Sequence, residues 1–164
     1  MDAGQKRYLE KRYEASEWHG RGQYGKRSIK GFTFAGSEVS GWKLQRVERD
    51  ENMKPLFTHS LWSRGTAAAE MLSIDLWECR SIAAAHDQVF EVLANMESGE
   101  IERCPNGPGD VAFGLADTMI LFARVNVVVL IRNAGSKVVV VRAVATGIDA
   151  VLVKRLRVET REKR

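Results

Sequence analysis

Three histidines (His19, His59, His86), two cysteines (Cys79, Cys104) and a group of arginines and aromatics are the residues of this chain that could do chemistry. A zinc site needs three or four His, Cys or carboxylate ligands converging on one point. Here the histidines lie in three separate segments. The cysteines have neither CxxC spacing nor a histidine at zinc-finger spacing. Convergence would have to recruit Asp75 or Asp110 from elsewhere, so no metal is expected. Cys79 stands just before an expected helix start, where a thiol pKa falls. A thiolate paired with His86 or His59 would make a small enzyme. A strand-end cysteine acting as a small buried hydrophobe is the favoured reading. Cys79 and Cys104 could also form a disulfide in an oxidising compartment, against the plainer reading of two free thiols.

Two further constellations involve arginine. Arg124 and Asn126, with Arg132 beyond the following strand, could gather at one end of a sheet. Paired guanidinium groups there would suit a ligand carboxylate or phosphate. Solvated turn residues are the plainer alternative. Nearer the N-terminus, Trp18, Arg21 and Tyr24 interleave aromatic and basic groups, with His19, Lys26 and Arg27 close by. Such a run stacks bases and neutralises phosphates. It equally suits an arm that anchors on a partner subunit, or a mobile tail. "GPGDVAFG" (107–114) holds a Gly-x-Gly, but its third glycine is misplaced and a short strand follows instead of a helix. It reads as a turn, and no cofactor is expected.

The elements that must position these residues belong to a chain of 164 residues, the length of one domain. It is 45% hydrophobic and 28% charged, with a net charge of +4. Residues 1–30 hold eight of the 25 Lys and Arg but four of the 21 Asp and Glu, so the basic excess is local. That is too little charge for a dedicated nucleic-acid binder. No apolar run of leader type follows the N-terminal charges, which reads as cytoplasmic. Removal of a leader before Met1 would instead make the protein extracytoplasmic.

"IKGFTFAG" and "GWKLQRVE" alternate apolar and polar residues, the second with a phase slip before Val47, and predict half-buried strands. "LFTHSLWSR" (56–64) alternates more weakly. "AEMLSIDLWEC" (69–79) puts Leu72, Ile74 and Leu76 on one face. Ser81 then caps a helix whose buried stripe is Ile82, Ala85, Val89, Leu93 and Met96, with Gly99 as its stop. "CPNGPGD" (104–110) is loop and "VAF" a short strand.

"MILFARVNVVVLIR" (119–132) is the most apolar stretch. A membrane helix needs about 20 apolar residues; this run has 13 from Met119 to Ile131, interrupted by Arg124 and Asn126. It is also long for one strand. It reads as a hairpin, Met119–Ala123 and Val127–Ile131, with the three-residue turn "RVN". That register sets Phe122 opposite Val128 and Leu121 opposite Val129. Leu121, Val127 and Val129 then share one face, and Phe122, Val128 and Leu130 the other. Both faces are apolar and need cover, from another layer or from a partner subunit. "KVVVVRAVATGIDAVLVKRLR" predicts a helix from about Lys137 to Leu156 with Ser136 as cap, although its four valines favour strand.

"GDVAF…LFARVNVVVLIRN", followed by a helix carrying "A..ID", resembles small bacterial α+β domains with a PsbP/Mog1-like architecture. In those, an Arg-Gly-Asn turn joins a similar strand pair; here Val125 replaces the glycine. The resemblance covers about the last 95 residues and implies a mostly extracytoplasmic, mostly non-enzymatic protein. It supplies no functional residue.

The expected fold is α+β: a mainly antiparallel sheet with two principal helices packed on one face. Residues 1–28 form a basic aromatic extension, 29–158 a single domain and 159–164 a solvated tail. The expected function is a non-catalytic binding or assembly module, acting through self-association (a homo-oligomer) or a protein partner. Nucleic-acid contact through the arm is the alternative, and a small enzyme built on Cys79 or a histidine the third.

Overall fold

The computed structural model describes residues 1–18, 28–65, 69–96 and 99–158. His19, Arg21, Tyr24, Lys26, Arg27 and the tail 159–164 lie outside the described residues. The element order is α1 (Ala3–Arg12), a 3-10 turn at Ala15–Glu17, β1 (Lys43–Asp50), β2 (Leu56–Arg64), β3 (Glu70–Glu78), α2 (Ile82–Asn95), β4 (Glu102–Arg103), β5 (Val111–Leu115), β6 (Met119–Arg124), β7 (Val127–Asn133) and α3 (Arg142–Val158). The strands form one antiparallel sheet in the order β1-β2-β3-β7-β6-β5-β4. The protein is therefore α+β with an antiparallel sheet. No helix among the described residues is long and apolar enough to cross a membrane.

Successive strand residues point to opposite faces, and each face has its own core. On one face, Leu72, Ile74 and Leu76 of β3 and Val127, Val129 and Ile131 of β7 pack with Ala145, Ile148 and Leu152 of α3. The irregular segment 29–42 covers the rest of that face with Ile29, Phe32, Phe34 and Trp42. On the other face, Leu121, Val128 and Leu130 pack with Ala85, Val89, Phe90 and Leu93 of α2, and with Leu9, Tyr13 and Trp18. Helices thus cover both faces, where the sequence reading put them on one. A strand that is apolar on both sides needs two layers, and the chain supplies both.

Alpha2 forms as its sequence dictates. The Ser81 hydroxyl accepts the Ala84 N–H at 3.1 Å, and Ala85, Val89 and Leu93 are buried. Alpha3 begins five residues later than expected. Residues 138–141 are neither helix nor strand, with Val139 and Val141 buried while Val138 and Val140 are 68% and 57% exposed. The Asn133 amide clamps the Val139 backbone from both sides, and the Val141 N–H donates to Asp117 O. These contacts satisfy backbone groups that a helix would otherwise have engaged.

"IKGFTFAG" is not a strand. Gly31 and Gly36 adopt left-handed φ values of 59° and 95°, which break the pleat. Phe32 and Phe34 still enter the core, edge to face at 5.3 Å. The phase slip in "GWKLQRVE" is a β-bulge between Leu44 and Arg46. Val47 was expected inside and is 47% exposed, because β1 is the outermost strand.

The hairpin exists, but its register differs by one residue from expectation. Arg124 pairs with Val127, Phe122 with Val129 and Leu121 with Leu130. The turn is therefore the two residues Val125 and Asn126, with Val125 left-handed at φ 54°. The slip exchanges the faces of Leu121 and Phe122: Phe122 joins Val127 and Val129 in the α3-side core, and Leu121 joins Val128 and Leu130 on the α2 side.

Candidate functional site

The turn that carries Arg124 and Asn126 is a closed structural joint. The Arg124 guanidinium holds Asp149 of α3 through two bonds of 2.7 and 2.6 Å, and Asp110 through a third of 2.6 Å. The second Asp110 oxygen accepts the Val125 N–H at 2.6 Å. All three side chains are nearly buried, with exposures of 12–14%. Gly109, at φ 80°, makes this possible. A Cβ there would lie 2.4 Å from Ala123 O, so only glycine lets the 104–110 loop bring Asp110 against the turn. Arg124 is thus spent on fold.

Asn126 is 2% exposed and equally committed. Its amide accepts from Ile29 N at 2.7 Å and donates to Ile29 O at 2.9 Å and Cys79 O at 2.8 Å. It takes the place of a strand neighbour for Ile29, and so ties segment 29–42 to the end of β3.

Arg132 does not join them. It pairs with Met119 at the other end of the hairpin, five positions from Arg124's partner Val127, or about 16 Å along the strand. It also faces the opposite side of the sheet. There its guanidinium meets Asp75 at 2.7 Å, and the other Asp75 oxygen meets His59 Nδ1 at 2.5 Å. Asp75 is 6% exposed, while the Arg132 side chain is 47% exposed. Sequence reasoning missed this His59–Asp75–Arg132 cluster. The β2–β3 hairpin places His59 directly opposite Asp75, so committing to that hairpin register would have revealed it. Asp75 orients the imidazole, as in many general bases. Yet no hydroxyl or thiol among the described residues is hydrogen-bonded to His59.

Trp18 offers no ring to a ligand. It is 7% exposed, stacks on Phe90 at 4.7 Å and donates its indole N–H to Tyr13 O at 2.9 Å. The described part of the extension is docked on its own chain. Lys6 pairs with Asp87, and Arg103 bridges Glu14 and Glu17. His86 lies edge-on to Trp18, and burial pushes its pKa down.

Both cysteines are free thiols. Burial, with Asp87 and Glu78 adding to it, pushes the Cys79 thiol up to about 12. The helix start is outweighed, and Cys79 is no nucleophile at neutral pH. Iodoacetamide should therefore label the partly exposed Cys104 first at pH 7.5, with Cys79 protected until the protein unfolds. Mass spectrometry of timed samples checks this, and equal labelling rates would contradict it. Because the folded pKa lies above the unfolded value near 9, this thiol's contribution to stability is complete below pH 9 and is lost as pH rises towards 12.

One half-face of the sheet is open. Along β2, Thr58, Ser60 and Trp62 are at most 1% exposed, while Phe57, His59, Leu61 and Ser63 between them are only half-buried. Met71 and Trp77 of β3 are likewise half-buried, with Ser73 and Asp75 buried between them; Trp77 also packs against the α2-side core and lies against Phe57 at 5.3 Å. By register, Lys43, Arg46, Glu48 and Asp50 of β1 share this face with Asp75 and Arg132. Three bases thus stand beside three acids around an aromatic and aliphatic centre. No metal-holding group of three His, Cys or carboxylates occurs among the described residues. No family model matches this chain, and no curated protein or solved structure matches it.

Proposed function

We propose that this protein is a non-catalytic assembly module whose open β1–β2–β3 face is covered by a second copy of the chain. The observation that carries this reading is the incompletely buried group of Phe57, Leu61, Met71 and Trp77 beside charges of both signs. Aromatic and aliphatic centres with polar rims are the anatomy of protein interfaces. A face with bases and acids in equal number can meet a second copy of itself about a two-fold axis without net repulsion. A nucleic acid would be met by a field of one sign. The protonated Cys79 speaks against a thiolate mechanism at that residue. The resemblance to mostly non-enzymatic α+β domains agrees with the assembly reading.

Analytical ultracentrifugation tests the proposal. The wild-type chain is expected to sediment as a concentration-dependent dimer. Leu61→Glu should weaken dimerisation by at least tenfold, because it places a charge in the contact centre. Leu61 is half-buried rather than core, so the monomer's thermal unfolding should stay within a few degrees of wild type. A wild-type chain that remains a strict monomer, or a Leu61→Glu variant that dimerises normally, overturns the reading.

A further inference from the structure

At the end of the sheet where β2 begins, β3 ends and α2 starts, the chain forms a cleft of about 620 Å³. That volume lies within the range of small-molecule sites. Its wall is apolar where Met53, Pro55, Leu56, Cys79 and Ala84 contribute. Cys79 belongs to this wall as a neutral thiol. Three cations, Lys30, Lys54 and Arg80, line the same cleft. None of the three is in an ion pair among the described residues. By contrast, among the described residues Lys6, Arg46, Arg49, Arg64, Arg103, Arg124, Arg132 and Lys137 have carboxylate partners.

Two acids, Glu51 and Glu78, also line the cleft, which leaves its lining one positive charge in excess. Glu51 is met by Arg49 at 3.5 Å, outside the group of three. One Glu78 oxygen accepts the Phe32 N–H at 3.3 Å. The first turn of α2, which opens on the cleft through Ala84, contains no acidic residue. Its positive end adds to the same field.

From the apolar wall and the unpaired cations together, we infer that this cleft binds a small amphipathic anion: an aromatic or aliphatic body carrying one carboxylate or phosphate. The body displaces water from Met53 and Leu56, and the anionic group sits among Lys30, Lys54 and Arg80. Neither half of the ligand suffices. A bare anion lacks the apolar contact, and a neutral body lacks the charge. The inference is independent of self-association through the open face, which uses none of these residues.

Isothermal titration of the 164-residue chain with 2-naphthoate, its neutral counterpart 2-naphthylmethanol and inorganic phosphate tests it. Saturable 1:1 binding of naphthoate is expected, at least tenfold tighter than naphthylmethanol or phosphate. Each of Lys54→Met and Arg80→Met should weaken naphthoate about three- to fivefold, in the range of single exposed charge contacts. Lys11→Met on α1 should leave it unchanged. All three substitutions lie on exposed side chains, and matching thermal unfolding shows that the variants fold. Absence of naphthoate binding, equal affinity for the neutral counterpart, or equal affinity in all variants overturns the inference. A dimer that forms normally while naphthoate fails to bind would leave the assembly reading standing alone.

Discussion

Arg124→Ala should be among the most damaging substitutions of a polar residue in this chain. Urea unfolding is expected to show a loss of about 3 kcal/mol, the lower end of the range for breaking a buried ion pair. For a domain of this size the midpoint of thermal unfolding should fall by roughly 6–12 °C. The cost comes from what is left behind. Asp110 and Asp149 are each only 14% exposed and would face each other without a cation. Arg124→Lys should recover little, because an ammonium cannot make the forked contact with Asp149 while also holding Asp110. Asp149→Asn should cost less than Arg124→Ala, since Asp110 remains to balance the guanidinium. A loss below about 1 kcal/mol for Arg124→Ala would place this cluster with ordinary surface pairs.

Asn126→Ala should come close behind. It strips partners from Ile29 N, Ile29 O and Cys79 O, all at the buried end of the sheet. Unsatisfied buried groups cost about 1–3 kcal/mol each, and entering water offsets part of the sum, so a net loss of about 3 kcal/mol is expected. The damage should also be local. Segment 29–42, which carries Phe32, Phe34 and Trp42 onto the α3-side core, loses its tether. Hydrogen exchange should quicken at the Ile29 amide and through that segment before the β6–β7 ladder responds. Uniform quickening across the whole sheet would mean that Asn126 serves global stability alone. Asn126→Asp keeps the acceptor for Ile29 N but loses the donors to both carbonyls while ionised. Its pKa should rise for that reason. Its stability deficit relative to wild type should then shrink as the pH falls through the carboxylate range, where the folded state gains a proton before the unfolded state does.

These two side chains also mark where sequence reading stopped. The run 119–132 could be identified as a hairpin from its length and its two polar residues. Its register turned on whether Val125 takes a left-handed backbone. Locally that is unfavourable by about 1–2 kcal/mol, the more so because Val125 is β-branched. The folded protein outweighs this with non-local contacts. Val125 is 3% exposed in the α3-side core, its N–H is held by Asp110, and its neighbour Arg124 is held by Asp149. Asp110 and Asp149 lie 14 and 25 residues from Arg124, beyond the reach of any local pattern. The one-residue slip then moved Leu121 and Phe122 to opposite faces. It also follows from the strand geometry that Arg124 and Arg132 point away from each other.

What the sequence determined by itself was everything that one dominant period or cap specifies. Beta3 was legible because Leu72, Ile74 and Leu76 alternate without exception. Alpha2 was legible because Ser81 and a three- to four-residue apolar repeat agree. The α+β class followed from the order of such elements. Only the tertiary structure decided the rest. It set which face each helix covers, where α3 begins among four valines, and which carboxylates claim Arg124 and Arg132. It also decided that Cys79 is buried and protonated, and that one half-face stays open. The reason is physical: periodicity reports how a residue sits within its own element, whereas register, pairing and burial are settled by groups far along the chain. Their contacts, each worth a few kcal/mol, override local preferences of about 1 kcal/mol.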